Sequence, residues 1–488
     1  MNSKKFQVVL ILFAALLLGF VGAYAGMSLA DSKDEQQPVV QTGDNDKEGQ
    51  TDKASKMTGD LQKVAQAYTL IKENYLEEVE DTQLIEGAIE GMLATLEDPH
   101  TSYLNLDAMA EFNEQIESSF QGIGAEVSLV NGVVTIVSPI KDSPAEKAGL
   151  RPNDQVLSVD GESLEGLNLN EAVAKIRGEK GSEVTLEILR ASSSEPFEMV
   201  IVRDEIPVET VYSRTEEVDG KTTGVIEITN FSENTAVEFE EHLTELENNN
   251  IEGLVLDVRG NPGGLLNVVE DMLAQFVPED LPYLQIEDSD GNKEAFHSTL
   301  SEKKSYPITV LINEGSASAS EILAVALKEM GYDIVGHTSY GKGTVQTAVP
   351  LGDGSSIKMT TYKWLSPKGE WINEVGVEPT VEVDQPDYYY SNPTTVEEPF
   401  ALDDTDEMIA NFQVMLDGLG YDTGRTDGYF DEQTEKAVKS FQADNDVEET
   451  GIVDEQTAGM IDTKVIEQIR AGEDDLQLEE ALKSLYNE

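Results

Sequence analysis

The sequence contains no cysteine among its 488 residues. Disulfides, thiol nucleophiles and cysteine-based zinc sites are therefore all excluded. Histidine is also scarce, and no two histidines have the HExxH spacing of a zinc protease. The four histidines are His100, His242, His297 and His337. This pattern argues against a zinc enzyme, and no metal or cofactor is expected. Any acyl-transfer chemistry would need a base other than an obvious histidine.

Basic residues are few: 33 lysines and arginines stand against 95 aspartates and glutamates, for a formal net charge of −62. DNA and RNA would repel such a polyanion, so nucleic-acid binding is not expected. The acidic excess is spread along the whole chain, which suits solubility at high salt, where repulsion is screened. Adaptation to salt is thus a hypothesis, and optimal activity at low salt would contradict it. The length predicts roughly two to four domains.

An apolar segment follows Lys4 and Lys5 and runs for 25 uncharged residues, Phe6–Ala30. About 20 apolar residues span a bilayer, so this run predicts a single-pass anchor in the cell membrane. The basic flank predicts that the amino terminus lies inside and the rest of the chain outside. A cleavable signal peptide is the alternative, because Ala23-Tyr24-Ala25 resembles a cleavage site. No cysteine follows to make a lipoprotein, and the chain is exported in either case.

Composition and apolar periodicity change along the chain and predict an α/β multidomain protein. One long segment alternates strands with helices, one is rich in short strands, and the two ends are helical. No long internal repeat is evident. The predicted segments are an anchor at 1–30, an acidic linker at 31–57, an N-terminal helical region at 58–115, a β-rich domain at 116–204, an α/β core at 205–385, a linker at 386–403, a small helical domain at 404–463 and an acidic helical tail at 464–488.

The first chemical motif is a run of small residues, GSASAS, at 315–320. It follows a buried-type strand at 308–312 and opens a helix. A serine at such a turn meets the free N–H groups and positive dipole end of the helix, where an oxyanion would find donors in position. The motif therefore suits a nucleophilic serine. Simple helix capping is the alternative, because serine is also a favoured cap residue.

The second motif, YGKGTVQ at 340–346, places Lys342 between two glycines. On a strand, Gln346 would point to the same face as Lys342. An uncharged lysine can take a proton from serine if burial lowers its pKa from about 10.4. An exposed turn lysine is the alternative. A phosphate-binding loop does not fit, because the GxxxxGK[ST] spacing is absent.

The third motif, LVLDVRGNPGGL at 254–265, is a buried-type strand that runs into a glycine-rich turn. In such a turn no side chains cover the backbone amides, so these amides can serve as oxyanion donors. A plain turn at the end of a strand is the alternative interpretation.

Together the three motifs resemble those of the carboxyl-terminal processing peptidases, or tail-specific proteases, over residues 60–385, and they occur along the chain in that family's order. The resemblance implies a serine endopeptidase with a Ser–Lys pair. It assigns Ser318 as the nucleophile, Lys342 as the general base, Gln346 as the residue that orients the lysine, and the amides of Gly264 and Ala319 as the oxyanion hole. His100, in the sequence DPHTSY, is expected to have a structural role.

Residues 116–204 resemble the inserted PDZ domain of such proteases, on the evidence of SPA at 143–145 and VDG at 159–161. The resemblance implies that a peptide pairs with the following strand while backbone amides hold its terminal carboxylate. The loop with those amides comprises Gly122, Ile123, Gly124 and Ala125. Arg177, at the end of the PDZ helix, would link peptide binding to the active site; a solvated surface arginine is the alternative.

Residues 404–463 resemble the type 1 peptidoglycan-binding domain, through motifs such as DGYF at 427–430 and FQ at 441–442. The apolar members of these motifs are expected to form the core of a small helical bundle. The resemblance implies a cell-wall partner; a degenerate or protein-binding module is the alternative.

The combined interpretation is an exported serine endopeptidase that recognises proteins by their free carboxyl ends through the PDZ domain. A non-catalytic PDZ and wall-binding scaffold is the competing class, and absence of Ser318, Lys342 or Gln346 would have favoured it. Degradative and signalling proteases are not separated by the sequence. A homodimer formed through the N-terminal helices is a further open possibility.

Overall fold

The computed structural model describes residues 48–486 apart from 131, 191, 192, 194, 394, 395, 397 and 446, with side chains from Leu61 onward. The predicted anchor at 1–30 lies outside the described residues, as does the predicted linker up to residue 47. No helix in the described part of the chain is both long and apolar enough to cross a membrane. The chain divides into two units at Ala88/Ile89.

The first unit contains helix α1 (Glu48–Asn74) and the beginning of α2 (Asp81–Ala94). Helix α1 begins inside the segment predicted as a flexible linker, so residues 48–57 differ from that prediction. Asp81 joins the two helices, because its carboxylate accepts a hydrogen bond from the Tyr68 hydroxyl at 2.7 Å and pairs with Lys72 at 2.8 Å. The first unit carries many exposed apolar side chains, both on the helices and in the segment between them, which include Leu61, Val64, Leu70, Tyr75, Leu76 and Ile85.

The second unit contains the remaining helices and all the described strands. The helices are α3 (Leu106–Ile116), α4 (Pro144–Ala148), α5 (Leu169–Ile176), α6 (Thr235–Asn248), α7 (Leu266–Leu273), α8 (Ala319–Glu329), α9 (Glu407–Gly418), α10 (Glu432–Asp444), α11 (Glu455–Arg470) and α12 (Leu476–Ser484). A short 3-10 helix spans Asp387–Tyr390. The strands are β1 (Ser102–Leu104), β2 (Ser119–Gly122), β3 (Ala125–Val130), β4 (Val133–Pro139), β5 (Gln155–Val159), β6 (Glu162–Ser163), β7 (Glu183–Leu189), β8 (Phe197–Val202), β9 (Asp204–Pro207), β10 (Val211–Val218), β11 (Lys221–Ile228), β12 (Gly253–Asp257), β13 (Pro282–Glu287), β14 (Lys293–His297), β15 (Ile308–Ile312), β16 (Asp333–Gly336), β17 (Thr344–Pro350), β18 (Ser356–Leu365) and β19 (Val381–Glu382).

The centre of the second unit is a six-stranded sheet in the order β10-β11-β12-β15-β16-β19, parallel except for β10. Strands β12 and β15 are apolar almost throughout because both faces of a parallel sheet are covered. Alternate residues face opposite sides. Leu254 and Leu256 pack with the helices that include α6, α7 and α8, whereas Val255 and Leu311 pack against α12.

Helix α12 therefore belongs to the peptidase core. The sequence predicted a single acidic tail at 464–488, but α11 continues through the predicted boundary to Arg470 and a separate α12 follows. Leu478, Ala481 and Leu485 bury one face of α12 against the sheet. A stripe of apolar side chains along one face of an acidic helix is enough to make that face pack against the core.

A second sheet lies beside the central one, in the order β1-β18-β13-β14, with β17 paired to β18. Strands β17 and β18 form a hairpin with an irregularity between Val345 and Gln346. Residues 125–202 form a separate sheet, β3-β4-β5-β7-β8, with its own core and with β3 at one edge. The ribbon of β2 and β9 connects that domain to the rest of the unit.

The C-terminal helices α9, α10 and α11 surround a core that includes Phe412, Leu416, Phe441 and Ile461. Two short segments of nearly the same sequence occupy equivalent places: GYFDEQT at 428–434 and GIVDEQT at 451–457. In each, the buried side chain of a preceding glutamine accepts from the glycine amide and donates to the threonine hydroxyl. The two glutamines are Gln413 and Gln442. The domain is thus built from two related halves, which the sequence analysis did not detect.

Candidate active site

Ser318 lies at the turn between β15 and α8, as the nucleophile hypothesis requires. Its backbone has φ 53° and ψ −109°, a conformation that residues other than glycine rarely adopt. Such strain persists only where the surroundings enforce it and is typical of active sites. The Ser318 amide donates to Oε2 of Glu321 at 2.7 Å. The serine hydroxyl is thereby presented at the amino terminus of α8, where the helix dipole favours negative charge.

Lys342 lies in the loop between β16 and β17 and is half-buried. Burial lowers the pKa of its ammonium below the ordinary 10.5, and the charge of Lys358 lowers this pKa further. The carboxylates of Glu321 and Asp98 act in the opposite direction. Among the described residues, no carboxylate forms an ion pair with Lys342. These surroundings therefore make the uncharged amine, which is the form that can accept a proton, easier to reach than in a free lysine.

The residue before Lys342 is a glycine because another segment of backbone passes very close to it. Gly341 has φ +90°, and a Cβ there would lie 3.0 Å from the amide nitrogens of Val375 and Gly376. A larger residue would push the loop away from this segment. The GKG sequence is thus required by packing as well as by access for a substrate.

Glu321 connects the serine turn to the lysine loop, a role that was not predicted from the sequence. Its side chain is fully buried and accepts four hydrogen bonds. Oε1 accepts from the Ser339 hydroxyl and the Gly341 amide, both at 2.6 Å. Oε2 accepts from the amides of Ser318 and Lys342 at 2.7 and 2.8 Å. The one signal in the sequence was the S-x-x-E spacing of a capping box, which normally serves the helix alone.

The third motif supplies a turn that closely approaches the serine. A Cβ at Gly263 would lie 2.9 Å from the Ser318 Cβ, so only glycine fits. Asn261 fixes the turn: it is fully buried, its Oδ1 accepts from the Gly263 amide at 2.8 Å, and its Nδ2 donates to the Ile228 carbonyl at 2.7 Å. The Asn261 carbonyl also accepts from the Ala317 amide at 3.0 Å. The glycine turn and the serine turn are therefore held together directly.

The amides of Gly264 and Ala319 are available as donors. Within the described part of the chain, neither N–H donates to a backbone or side-chain acceptor. Ala319 is the first residue of α8, where helix amides have no internal partner. Two unpaired donors beside a nucleophile are what an oxyanion hole requires.

One open cleft of about 600 Å³ brings the predicted catalytic residues together. Ser318, Lys342, Gln346, Gly264 and Ala319 all line it. Its apolar lining includes Phe112, Ile116, Leu265, Leu266, Ile322, Val345 and Trp364. Apolar walls with a few polar groups are typical of a binding site. Three motifs that are far apart in sequence thus meet at one site.

Gln346 makes its hydrogen bonds on the strand hairpin. Its Nε2 donates to the Thr344 hydroxyl at 2.8 Å and to the Thr360 hydroxyl at 3.2 Å. Thr360 is in turn tied to the turn at His100, because its amide donates to the Thr101 hydroxyl at 3.1 Å. With both amide protons engaged, only Oε1 of Gln346 remains to accept a hydrogen bond from a lysine.

The predicted peptide-binding loop lies away from this cleft, where β2 leads into β3. Gly124 has φ +74°, and a Cβ there would meet the Ser143 Cβ at 2.5 Å. The Ile123 carbonyl accepts from the Ala145 amide at 2.8 Å, which fixes the loop against α4. Ala125 then begins β3, an edge strand whose free side can pair with an extended peptide.

Arg177 follows α5 and contacts α3. Its guanidinium forms an ion pair with Glu114 and lies 5.3 Å from the centre of the Phe120 ring. Its side chain also adjoins Gly122 of the peptide-binding loop. Helix α3 carries Phe112 and Ile116 into the catalytic cleft. Arg177 is thus in contact with both the PDZ loop and a helix that lines the cleft.

Comparison with known proteins identifies four matching families along the chain. Residues 222–383 match Peptidase family S41, and residues 135–190 match a PDZ domain. Residues 16–108 match the N-terminal domain of the activating protease CtpB, and residues 405–461 match a putative peptidoglycan binding domain.

Relatives match over most or all of the chain. The carboxy-terminal processing protease CtpB of Bacillus subtilis (strain 168) is 48% identical over 100% of both chains. The processing protease CtpA of the same strain is 40% identical over 89% of this chain and 92% of its own. A probable CtpA-like serine protease of Staphylococcus haemolyticus (strain JCSC1435) is 32% identical over 99% of this chain and 94% of its own. The chain therefore belongs to peptidase family S41 and is a carboxy-terminal processing serine protease with a PDZ domain.

Proposed function

We propose that this protease cleaves peptide bonds with a Ser318–Lys342 dyad and selects its substrates by their free carboxyl ends. One observation carries the proposal: Ser318, Lys342 and two unpaired amides line one cleft, and the buried Glu321 holds both catalytic loops. Uncharged Lys342 takes the hydroxyl proton as Oγ attacks the scissile carbonyl. Lys342 then gives that proton to the leaving amine, which leaves an acyl-enzyme.

The oxyanion of each tetrahedral intermediate would be bound by the Gly264 and Ala319 amides. Such donors cost no reorganisation, because the turn and the helix already fix them. Water, activated by uncharged Lys342, then attacks the acyl-enzyme and regenerates the serine. Gln346 would orient the lysine through its Oε1.

Free and amidated carboxyl ends provide the direct test of substrate selection. We expect kcat/KM for a peptide with a free carboxyl end to exceed that of its amidated twin by about tenfold or more, since the PDZ loop presents amides to a carboxylate. Ser318→Ala serves as the blank for contaminating proteases. Equal rates for the two peptides would contradict recognition by the carboxyl end.

We also propose that Arg177 transmits peptide binding to the cleft. Its contacts to Glu114 and the PDZ loop support this role, although an exposed ion pair contributes only about 0.2–1 kcal/mol to stability. Arg177→Gln should therefore leave the melting temperature nearly unchanged and reduce the preference for free carboxyl ends. Lys147→Gln, an exposed change on α4 of the same domain, is the control. If Arg177→Gln kept the wild-type preference for free carboxyl ends, Arg177 would be a surface residue with no part in transmitting peptide binding.

We propose that the mature protein is anchored in the cell membrane by residues 6–30, with the protease outside and the C-terminal domain at the cell wall. The basic flank and apolar run support the anchor, and the match at 405–461 supports the wall contact. A secreted protein is the outcome if the segment is cleaved. Fractionation of cells, with co-sedimentation on purified peptidoglycan, distinguishes these cases.

A homodimer through the N-terminal helices is also proposed. The exposed apolar side chains of the first unit support it, among them Leu70, Tyr75 and Leu76. Exposed apolar surface of this kind often marks a protein interface. Sedimentation equilibrium of the wild type and of Leu70→Asp would detect it, and a monomeric wild type would contradict it.

A further inference from the structure

A second lysine lines the catalytic cleft, and none of the chemistry described so far uses it. Lys358 lies on β18, directly opposite Ala348 of β17. Directly paired residues of an antiparallel hairpin project to the same face. Ala348 and Gln346 line the cleft on that face, and Lys358 lines it with them. The hairpin that carries Gln346 therefore also brings a cation to Lys342.

Lys358 contacts an aromatic ring and has no carboxylate partner in the described part of the chain. Its Nζ lies 5.6 Å from the centre of the Phe112 ring of α3, within the range of a cation–π contact. An aromatic ring attracts a cation but provides no opposite charge. In the described part of the chain, no carboxylate lies within ion-pair distance of Lys358. By contrast, Lys363 on the same strand pairs with Glu287 at 3.2 Å.

We propose that Lys358 is a positioning residue for the general base, a fixed cation that keeps the neighbouring Lys342 in its uncharged form. The inference rests on the proposed role of Lys342. Two like charges in one cleft disfavour each other, so a lysine that stays charged makes its neighbour the one that loses its proton.

The carboxylates around Lys342 raise its pKa, so they cannot take the role proposed for Lys358. Glu321, from α8, and Asp98, from the turn before β1, both favour the charged lysine. Glu321 is hydrogen-bonded to four donors, and Asp98 accepts from Thr101 and the His100 amide. Burial lowers the pKa of His100, and the charge of Lys358 lowers it further, so this ring does not supply a second cation at neutral pH. Lys358 is therefore the cation that acts with burial to lower the pKa of Lys342.

Trace acetylation of Lys342 across a pH series measures its protonation without any catalysis. The experiment uses full-length Ser318→Ala chains treated with acetic anhydride, and mass spectrometry quantifies labelling at Lys342. In Lys358→Gln we expect the labelling midpoint to move to higher pH. Lys358→Arg should keep the wild-type midpoint because it keeps the cation. Lys293→Gln, on the edge strand β14 of the same sheet, is the matched control and should also leave the midpoint unchanged.

Activity of the corresponding chains with Ser318 intact provides the second readout. In Lys358→Gln we expect kcat/KM at neutral pH to fall on the order of tenfold, because the uncharged fraction falls tenfold for each unit by which the pKa rises. The loss should recover at alkaline pH and should be absent in Lys358→Arg. A merely structural role would lower activity at every pH.

The outcomes separate the inference from the proposed function. An unmoved labelling midpoint in Lys358→Gln would overturn the role of Lys358. A raised midpoint with an unshifted pH–rate profile would instead overturn Lys342 as the base, and the catalytic role of Lys358 with it. If Lys358→Gln does not fold, as judged by its thermal melt, Lys358→Met removes the charge and keeps the apolar stem, and the same criteria apply.

Discussion

Substitution of Ser318 or Lys342 with alanine is expected to lower kcat on the order of 10⁴- to 10⁶-fold, because each change removes one half of a unit that acts together. Folding should be unaffected, since Ser318→Ala removes one oxygen at a strained turn and Lys342→Ala removes a side chain that makes no ion pair among the described residues. Peptide cleavage assays and thermal melts measure the two effects.

The double variant sharpens this prediction. If the residues form one dyad, Ser318→Ala/Lys342→Ala should be no less active than either single variant. The wild-type kcat/KM should rise with pH through a single ionisation below 10.5, because the pKa of Lys342 is lowered and only the uncharged amine accepts a proton. Near-normal activity in either single variant, or additive losses in the double variant, would contradict the dyad.

Replacement of Glu321 is expected to have the second-largest effect, on stability as well as on rate. Glu321→Gln places an NH₂ group where the carboxylate accepts from two of its four donors. Buried donors left without an acceptor cost about 1–3 kcal/mol each. We expect the free energy of unfolding to fall by roughly 2–5 kcal/mol and kcat to fall by about 10²-fold or more, since a displacement of about 1 Å in the catalytic loops is enough for that loss.

Denaturant unfolding and peptide cleavage measure both effects in one preparation. Glu329→Gln is the matched control, because Glu329 lies on the same helix and, among the described residues, accepts from the Lys368 amide alone, at the surface. That change should alter stability by less than about 0.5 kcal/mol. If Glu321→Gln behaved like Glu329→Gln, the carboxylate would not be what holds the two loops.

The family and the fold class were predictable because the motifs that carry them are local. The strand before the serine, the glycines around Lys342 and the NPGG turn each have a sequence signature, and both predictions are confirmed by the comparisons and the architecture. The same local signatures led to the assignments of Ser318 and Lys342, which remain predictions. That these residues line one cleft supports them.

Glu321 and Asn261 could not be given their roles from the sequence. A glutamate three residues after a serine indicates a helix cap, and an asparagine in a turn indicates only the turn. Their partners lie on other segments: Glu321 binds the amide of Lys342, and Asn261 binds the carbonyl of Ile228. Contacts between segments depend on the packed fold, so no spacing within one motif reveals them.

The C-terminal region illustrates the same limit. The sequence predicted an acidic helical tail but did not show what it packs against, and Leu478 and Ala481 cover the central sheet. Asp475, just before α12, pairs with Arg259 at 2.8 Å, and Arg259 also binds Asp257 at 2.6 Å at the end of β12. Because Arg259 lies within the third motif, the end of the chain is tied to the strand that leads into the NPGG turn.

The sequence by itself determined the chemistry that the chain can perform, because nucleophile, amine and flexible turns are properties of residue type and local spacing. Only the tertiary structure decided which of these groups lie close to one another. The fold brings Lys358 into the same cleft as Lys342 and packs α12 against the central sheet. It also lets the Glu321 carboxylate accept hydrogen bonds from both the serine turn and the lysine loop. Charge, burial and hydrogen bonding act through distances of a few ångströms, and those distances arise only when remote segments pack together.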